Sequence, residues 1–126
     1  MIEGTVDDDL QAVIDLTITG QGRRKRTLRA QVDTGFTDYL TLPQALIDAL
    51  KLPQQKTQAR AILADGSQVL SPYYRAEVLW DGVLREAFVI SMESNILIGM
   101  ALMEGYDLHV AVNAGGAVRL TKQETL

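Results

Sequence analysis

The chain has no cysteine and a single histidine in 126 residues. The first absence excludes disulfides and thiolate metal sites, and it erases any trace of the redox state of the compartment. With His109 alone, and no nucleophile motif beside it, neither a zinc cluster nor a Ser-His device has its parts. His109 sits between Leu108 and Val110 in an extended segment and is expected on its outward face. Basic charge is also short, with 12 Lys and Arg against 16 Asp and Glu for a net charge of −4. That balance, and the lack of a stacking aromatic series, argue against a nucleic-acid partner. No apolar run approaches the ~20 residues needed to span a bilayer, so no membrane partner is expected. The first nine residues show no cationic segment followed by an apolar stretch, which leaves cytoplasm as the default location.

Two charge runs carry no chemistry of their own. Arg23-Arg24-Lys25-Arg26 falls at a hairpin bend of an acidic protein and reads as a solvated loop. Asp7-Asp8-Asp9 lacks the spaced oxygen ligands and the distant Glu of a calcium loop. No metal and no cofactor is expected. With 47% apolar residues and no biased linker, residues 1–126 are expected to form one domain with its own core.

What is present is mostly strand. Val13, Asp15 and Thr17 alternate with Ile14, Leu16 and Ile18, Gly20-Gln21-Gly22 turns the chain, and Arg26 to Val32 returns. Pro43 to Leu50 has Ala45, Leu46, Ala49 and Leu50 at helical spacing and predicts a short helix. Ala59 to Ala64 and Gln68 to Leu79 flank Asp65-Gly66, while Asp81-Gly82 divides Arg75–Trp80 from Val83–Ile90 with the residues a tight hairpin favours. Ala101 to Glu104 is a helical turn closed by Gly105, and Asp107 to Val112 and Ala117 to Leu120 predict a last hairpin.

The most informative stretch is Val32-Asp33-Thr34-Gly35-Phe36. An apolar strand with Leu28, Ala30 and Val32 on one face runs into an acid, a small hydroxyl residue and a glycine. An acid at the end of a buried strand is costly to desolvate unless it is hydrogen-bonded or shares its charge with a partner. A threonine hydroxyl and a backbone amide that glycine lets approach are what such a carboxylate needs. One carboxylate can activate a water, but cleaving a peptide bond also needs a proton donor. Two carboxyl groups about 3 Å apart hold one proton between them and supply both roles. Only one Asp-(Thr/Ser)-Gly is present. A dyad built on Asp33 therefore needs a second, identical chain across a two-fold axis.

Here the sequence resembles the retropepsin-like aspartic peptidases, in particular their small single-domain bacterial members, over roughly residues 13 to 112. Val32 to Phe36 followed by Tyr39-Leu40-Thr41-Leu42-Pro43 is similar to the catalytic loop and the strand after it. Ala64-Asp65-Gly66-Ser67 stands where that family has the tip of its flap hairpin. Asn95-Ile96-Leu97-Ile98-Gly99-Met100 is similar to the apolar-apolar-Gly signature that threads beside the catalytic loop. Two positions depart from the viral pattern: Met100 replaces an arginine that helps tie the dimer, and the flap tip has a single glycine, Gly66.

The resemblance implies an all-β fold, a closed β-barrel lobe with one or two short helices, working as a homodimer on a polypeptide substrate. It implies an aspartic endopeptidase with Asp33 as the catalytic residue and Thr34 and Gly35 as support for its loop. Ala64, Asp65, Gly66 and Ser67 would form the substrate-binding flap, and Leu97, Ile98 and Gly99 would pack beside the site. Residues 1–6 and 117–120 would supply edge strands to the interface. The bland alternatives are an Asp33 that caps an ordinary turn, an Asp65-Gly66 that is simply a hairpin turn, and a Gly99 that serves a tight bend. At the level of the whole protein, the alternative is a non-catalytic dimerisation or peptide-binding module on the same fold.

Overall fold

The computed structural model describes residues 1–62 and 64–124. Leu63, expected in the first arm of the flap hairpin, lies outside them. Among the described residues the chain forms ten strands, two short α-helices and one 3-10 turn, Gln21–Arg23. The strands are β1 (Ile2–Val6), β2 (Ala12–Thr19), β3 (Lys25–Val32), β4 (Leu40–Leu42), β5 (Gln54–Ile62), β6 (Gln68–Trp80), β7 (Val83–Ser91), β8 (Leu97–Ile98), β9 (Tyr106–Val110) and β10 (Ala117–Lys122). The helices are α1 (Gln44–Ala49), which starts just after Pro43, and α2 (Met100–Met103). The fold class is all-β, as the resemblance implies and in keeping with a patterning that is mostly strand.

The strands hydrogen-bond in the order β5-β6-β7-β4-β8-β3-β2-β1-β10-β9, and β6 also pairs with β2. That last pairing, Thr17 with Leu79 to Thr19 with Glu77, closes β6-β7-β4-β8-β3-β2 into a barrel. The alternation in β2 explains its position: Ile14, Leu16 and Ile18 are buried while Asp15 faces water. They meet Leu40, Leu42, Val78, Val89 and Ile98 from across the barrel and Leu102 of α2 in one core. At the β6–β7 turn both Asp81 (φ 53°) and Gly82 (φ 81°) are left-handed, the backbone a two-residue hairpin prefers because its twist matches that of the strands.

Two strands pass the site. β8 runs parallel to β3, with Gln31 opposite Leu97 and Val32 opposite Ile98, and antiparallel to β4, with Leu40 opposite Ile98. A two-residue strand is thus wedged between two strands far from it in sequence. Thr41 holds the wedge: its fully buried Oγ1 accepts the Leu97 amide at 2.9 Å and donates to the Asn95 carbonyl at 3.2 Å.

The terminal strands do not offer the edges expected of residues 1–6 and 117–120. β1 lies between β10, which it pairs along Ile2 to Thr5, and β2, which it meets only at Thr5 and Val6, and β10 lies between β1 and β9. The register explains it. Ile2 opposite Leu120 and Gly4 opposite Val118 place an apolar row inward, and the two strands satisfy each other's backbone. The open edge at this end of the sheet belongs to β9.

Candidate active site

Asp33 leaves the end of β3 with its amide still bonded to the neighbouring strand, donating to the Ile98 carbonyl at 2.9 Å. The chain then turns sharply, and the Phe36 amide donates back to the Asp33 carbonyl at 3.2 Å. Within this turn the Gly35 amide donates to Asp33 Oδ1 at 2.9 Å. A Cβ on Gly35 would stand 3.2 Å from that same oxygen, so the glycine lets amide and carboxylate approach without crowding. Oδ2 makes no hydrogen bond among the described residues. Asp33 itself is half-buried in the single chain, not deeply buried as its strand suggested, because Thr34 and Gly35 after it are exposed and the loop lies at the surface.

The loop is clamped from the far side by the segment after β8. The Gly99 amide donates to the Tyr39 carbonyl at 3.0 Å, Met100 to the Phe36 carbonyl at 2.8 Å and Ala101 to the Asp38 carbonyl at 3.2 Å. A side chain at Gly99 would put its Cβ 2.0 Å from the Asp38 carbonyl oxygen and 2.8 Å from that of Phe36. Gly99 has an ordinary extended backbone, φ −96°, so close approach and not left-handed geometry demands the glycine. Asp33, Thr34 and Gly35 are therefore brought together with Leu97, Ile98 and Gly99.

The hairpin tip stands apart from that cluster. Ala64, Asp65, Gly66 and Ser67 are all exposed, and no hydrogen bond joins them to the Asp33 loop. Asp65 Oδ1 accepts the Ser67 amide at 2.9 Å and the Ser67 hydroxyl at 2.6 Å, while Gly66 takes the left-handed φ of 85°. The bond from the Ser67 hydroxyl, reinforced by its amide, holds the Asp65 carboxyl below the usual carboxylate range.

Two neighbours of the site escaped the sequence reading. Asp38 accepts the Tyr39 amide at Oδ1, at 2.9 Å, and the Tyr73 hydroxyl at Oδ2. Burial, then the bond to Asp38, push the Tyr73 hydroxyl up to about 12. Tyr73 belongs to β6 and packs on Phe88 at 5.3 Å between ring centres, and Phe88 meets Tyr39 edge-on at 5.7 Å. This cluster ties the hairpin's second arm to the segment following the Asp33 loop. Its only sequence signal was an acid beside a tyrosine, which does not reveal a partner 35 residues away.

On its Thr34 side the loop borders an open groove of about 890 Å³, lined by Thr34, Thr37, Met100, Met103, Tyr106 and Leu108 among others. Among the described residues no three His, Cys, Asp or Glu side chains converge as metal ligands. No helix there is long and apolar enough to cross a membrane. His109 is exposed on β9, Arg23 to Arg26 are exposed, and Asp7 Oδ1 accepts the amides of Asp9 (3.0 Å) and Gln11 (2.9 Å) as a local turn.

No protein-family model matches the sequence, and no curated protein matches it significantly. Solved structures do match the backbone. A retropepsin-like aspartic protease from Rickettsia conorii superposes with a TM-score of 0.59 at 15% identity, over 94% of this chain and 87% of that one. EIAV protease, in a complex with the inhibitor HBY-793, superposes with a TM-score of 0.51 at 19% identity, over 75% of this chain and 86% of that one. The fold is retropepsin-like. At these identities the likeness concerns backbone arrangement alone.

Proposed function

We propose that the protein is an aspartic endopeptidase whose active site forms between two copies of the chain, with Asp33 supplied by each. The observation that carries this reading is the Asp33 turn: a carboxylate with one oxygen held by the Gly35 amide and the other unengaged, at the surface of a retropepsin-like fold. The structures that share the fold with it are described as proteases, which supports the reaction class.

In this reading the two carboxyl groups share one proton and hold a water between them. The ionised carboxylate takes a proton from the water as its oxygen attacks the peptide carbonyl carbon, and the protonated partner gives its proton to the carbonyl oxygen. The tetrahedral adduct collapses as the C–N bond breaks: the amine leaves with the proton of the acid just formed, and a hydroxyl of the adduct gives its proton to the other carboxylate, which restores the carbonyl and leaves one proton on the pair. Thr34, exposed at the loop's tip, braces one loop against its mate. The substrate lies extended along the β5–β6 hairpin, whose Ala64 to Ser67 tip closes over it and adds backbone hydrogen bonds like another strand.

The test is Asp33→Asn, which keeps size and the Gly35 contact but removes the base. The mutant is expected to fold and to lose turnover on a peptide library, whereas the unmodified protein shows a bell-shaped, acidic pH profile owned by the coupled pair. A statine-type transition-state analogue should raise the melting temperature of the unmodified protein and leave that of the mutant nearly unchanged. Cleavage retained by purified Asp33→Asn would place the chemistry elsewhere. The Asx-type bond from Gly35 to Asp33 also suits a turn kept for shape alone, the geometry of a non-catalytic binding module. Absence of any shift with the analogue would favour that second reading.

A further inference from the structure

The hairpin of β5 and β6 is two structures joined at one seam. From Tyr73, opposite Ile90, to Trp80, opposite Val83, β6 is paired with β7 and belongs to the barrel wall. From Gln68 to Pro72 it pairs only with β5, along Ile62 to Gln58, and among the described residues no third strand joins this ribbon. A two-stranded ribbon is marginally stable by itself. Apart from Ala59, which is not among the residues of the main core, its described side chains are exposed or half-buried.

The seam itself is slack. Gln54 stands opposite Tyr74 and Gln58 opposite Pro72, so residues 55–57 of β5 cover the length that Tyr73 alone covers in β6. That surplus breaks the register, and on the facing strand Pro72 has no amide to give to the ladder. Below the seam both strands are held: the Arg75 amide donates to the Pro53 carbonyl at 3.0 Å, and Leu52 is buried in the core. At the seam, Tyr73 is fastened from outside the hairpin. Its hydroxyl donates to Asp38 Oδ2 and its ring packs on Phe88. Asp38 is fixed in turn, since Oδ1 accepts the Tyr39 amide and its carbonyl accepts the Ala101 amide from the segment that clamps the Asp33 loop.

We propose that Tyr73 is a positioning residue of the peptidase site: bonded to Asp38, it fixes the foot of the hairpin against the segment that continues the Asp33 loop, and the ribbon beyond it swings about Pro72 and residues 55–57. The inference rests on the peptidase reading above. With the foot fixed, the ribbon's freedom is confined to one bend, and an extended peptide entering beneath the tip has few hairpin arrangements left to order. Without the hydroxyl, the slack in β5 faces a β6 that is no longer fastened, and the foot moves as well. The loss falls on capture of the substrate. The carboxyl chemistry is spared, because Asp33 is held by separate bonds to Ile98 and Gly35.

Tyr73→Phe removes the hydroxyl and keeps the ring on Phe88. Steady-state kinetics on the peptide that the unmodified protein cleaves best should show KM rising about five- to tenfold with kcat within about twofold. Asp38→Ala removes the other half of the bond, and Tyr73→Phe added to it should raise KM by less than about twofold more. Native-state hydrogen exchange gives a readout independent of cleavage: in Tyr73→Phe the paired amides of residues 58–62 and 68–71 should quicken more than those of residues 84–89 in β7. An unchanged KM in Tyr73→Phe would overturn the proposal. So would a fall in kcat at constant KM, the mark of less folded enzyme, or a ribbon that exchanges no faster relative to β7. A ribbon that loosens in a protein that cleaves no peptide keeps the hinge and removes the peptidase reading. Cleavage that Asp33→Asn abolishes and Tyr73→Phe leaves untouched does the reverse.

Discussion

The loop at Asp33 and the hairpin tip at Gly66 are held in opposite ways. The loop is fixed by amides and carbonyls some 60 residues away: Asp33 to Ile98, Gly99 to Tyr39 and Met100 to Phe36, with buried Thr41 bonding both Asn95 and Leu97. The tip is fixed by its own four residues, through Asp65, Ser67 and the left-handed Gly66. Long-range bonds in a buried crossing form and break with the whole domain. Local bonds in an exposed turn can rearrange without it. On the proposed peptidase reading, this contrast would divide a carboxylate loop held in place from a hairpin tip free to admit substrate.

The contrast breaks most sharply at Gly99. Replacing it with alanine drives a Cβ against two backbone carbonyls, which have no rotamer to escape into. Gly99→Ala should cost about 3 kcal/mol or more and lower Tm by roughly 10 °C or more, with loss of activity in the fraction that folds. Thermal denaturation followed by circular dichroism measures it. A variant that melts with the unmodified protein would mean the crossing is less crowded than described.

Tyr73 is the link between the two regions, so Tyr73→Phe should have an intermediate effect, about 1 kcal/mol at neutral pH, by leaving the half-buried Asp38 with one partner fewer. The pH dependence has a definite sign. The hydroxyl is raised to about 12 in the folded protein from 10.0, so its stabilisation is complete below pH 10, where both states are protonated. Between about 10 and about 12 the unfolded chain ionises first and that stabilisation is lost. Because the side chain is only partly buried, the loss is smaller than the full shift implies. Urea unfolding at a series of alkaline pH values should show the gap between the unmodified protein and Tyr73→Phe narrowing across that window. A gap that widens would contradict the assigned bond.

The smallest effect belongs to Gly66→Ala. Nothing lies within 4 Å of the added Cβ, so only the left-handed backbone resists. The cost should be about 1 kcal/mol or less and confined to the hairpin. Hydrogen exchange should quicken between residues 54 and 80 while the amides of Asp33 and Gly99 keep their protection. Uniform loss of protection would show that the tip and the loop are not independent.

Much of this was legible in residue order because it depends on neighbours. The Asp81-Gly82 turn, the alternation of Ile14, Leu16 and Ile18, and the short helix after Pro43 are each set by backbone preference and local patterning, and the structure has them where expected. That Gly99 packs beside the Asp33 loop was also expected, though the carbonyls of Asp38 and Phe36 that demand a glycine there were not legible. The depth of Asp33 was misjudged from the apolar strand before it, since a strand's pattern does not say how far beyond its last residue the core extends. The bond between Asp38 and Tyr73 joins two residues that are unremarkable in their own segments.

The assignment of β1 and β10 shows the same division at the level of topology. Patterning predicted β10 as part of the last hairpin, and β1 was expected from the resemblance alone; in both the alternate side chains form one inward face within five or six residues. Which strands they would pair with was open, since any exposed edge offers the same amides and carbonyls to every comer. Burial of Ile2, Val118 and Leu120 in one core resolved it in favour of each other and left β9 as the outer strand. The residue order therefore determined the elements and their turns, whose energetics are local. Pairing partners, the exposure of Asp33 and the free edge of β9 were decided by tertiary packing, where distant residues compete for the same core and the same hydrogen bonds.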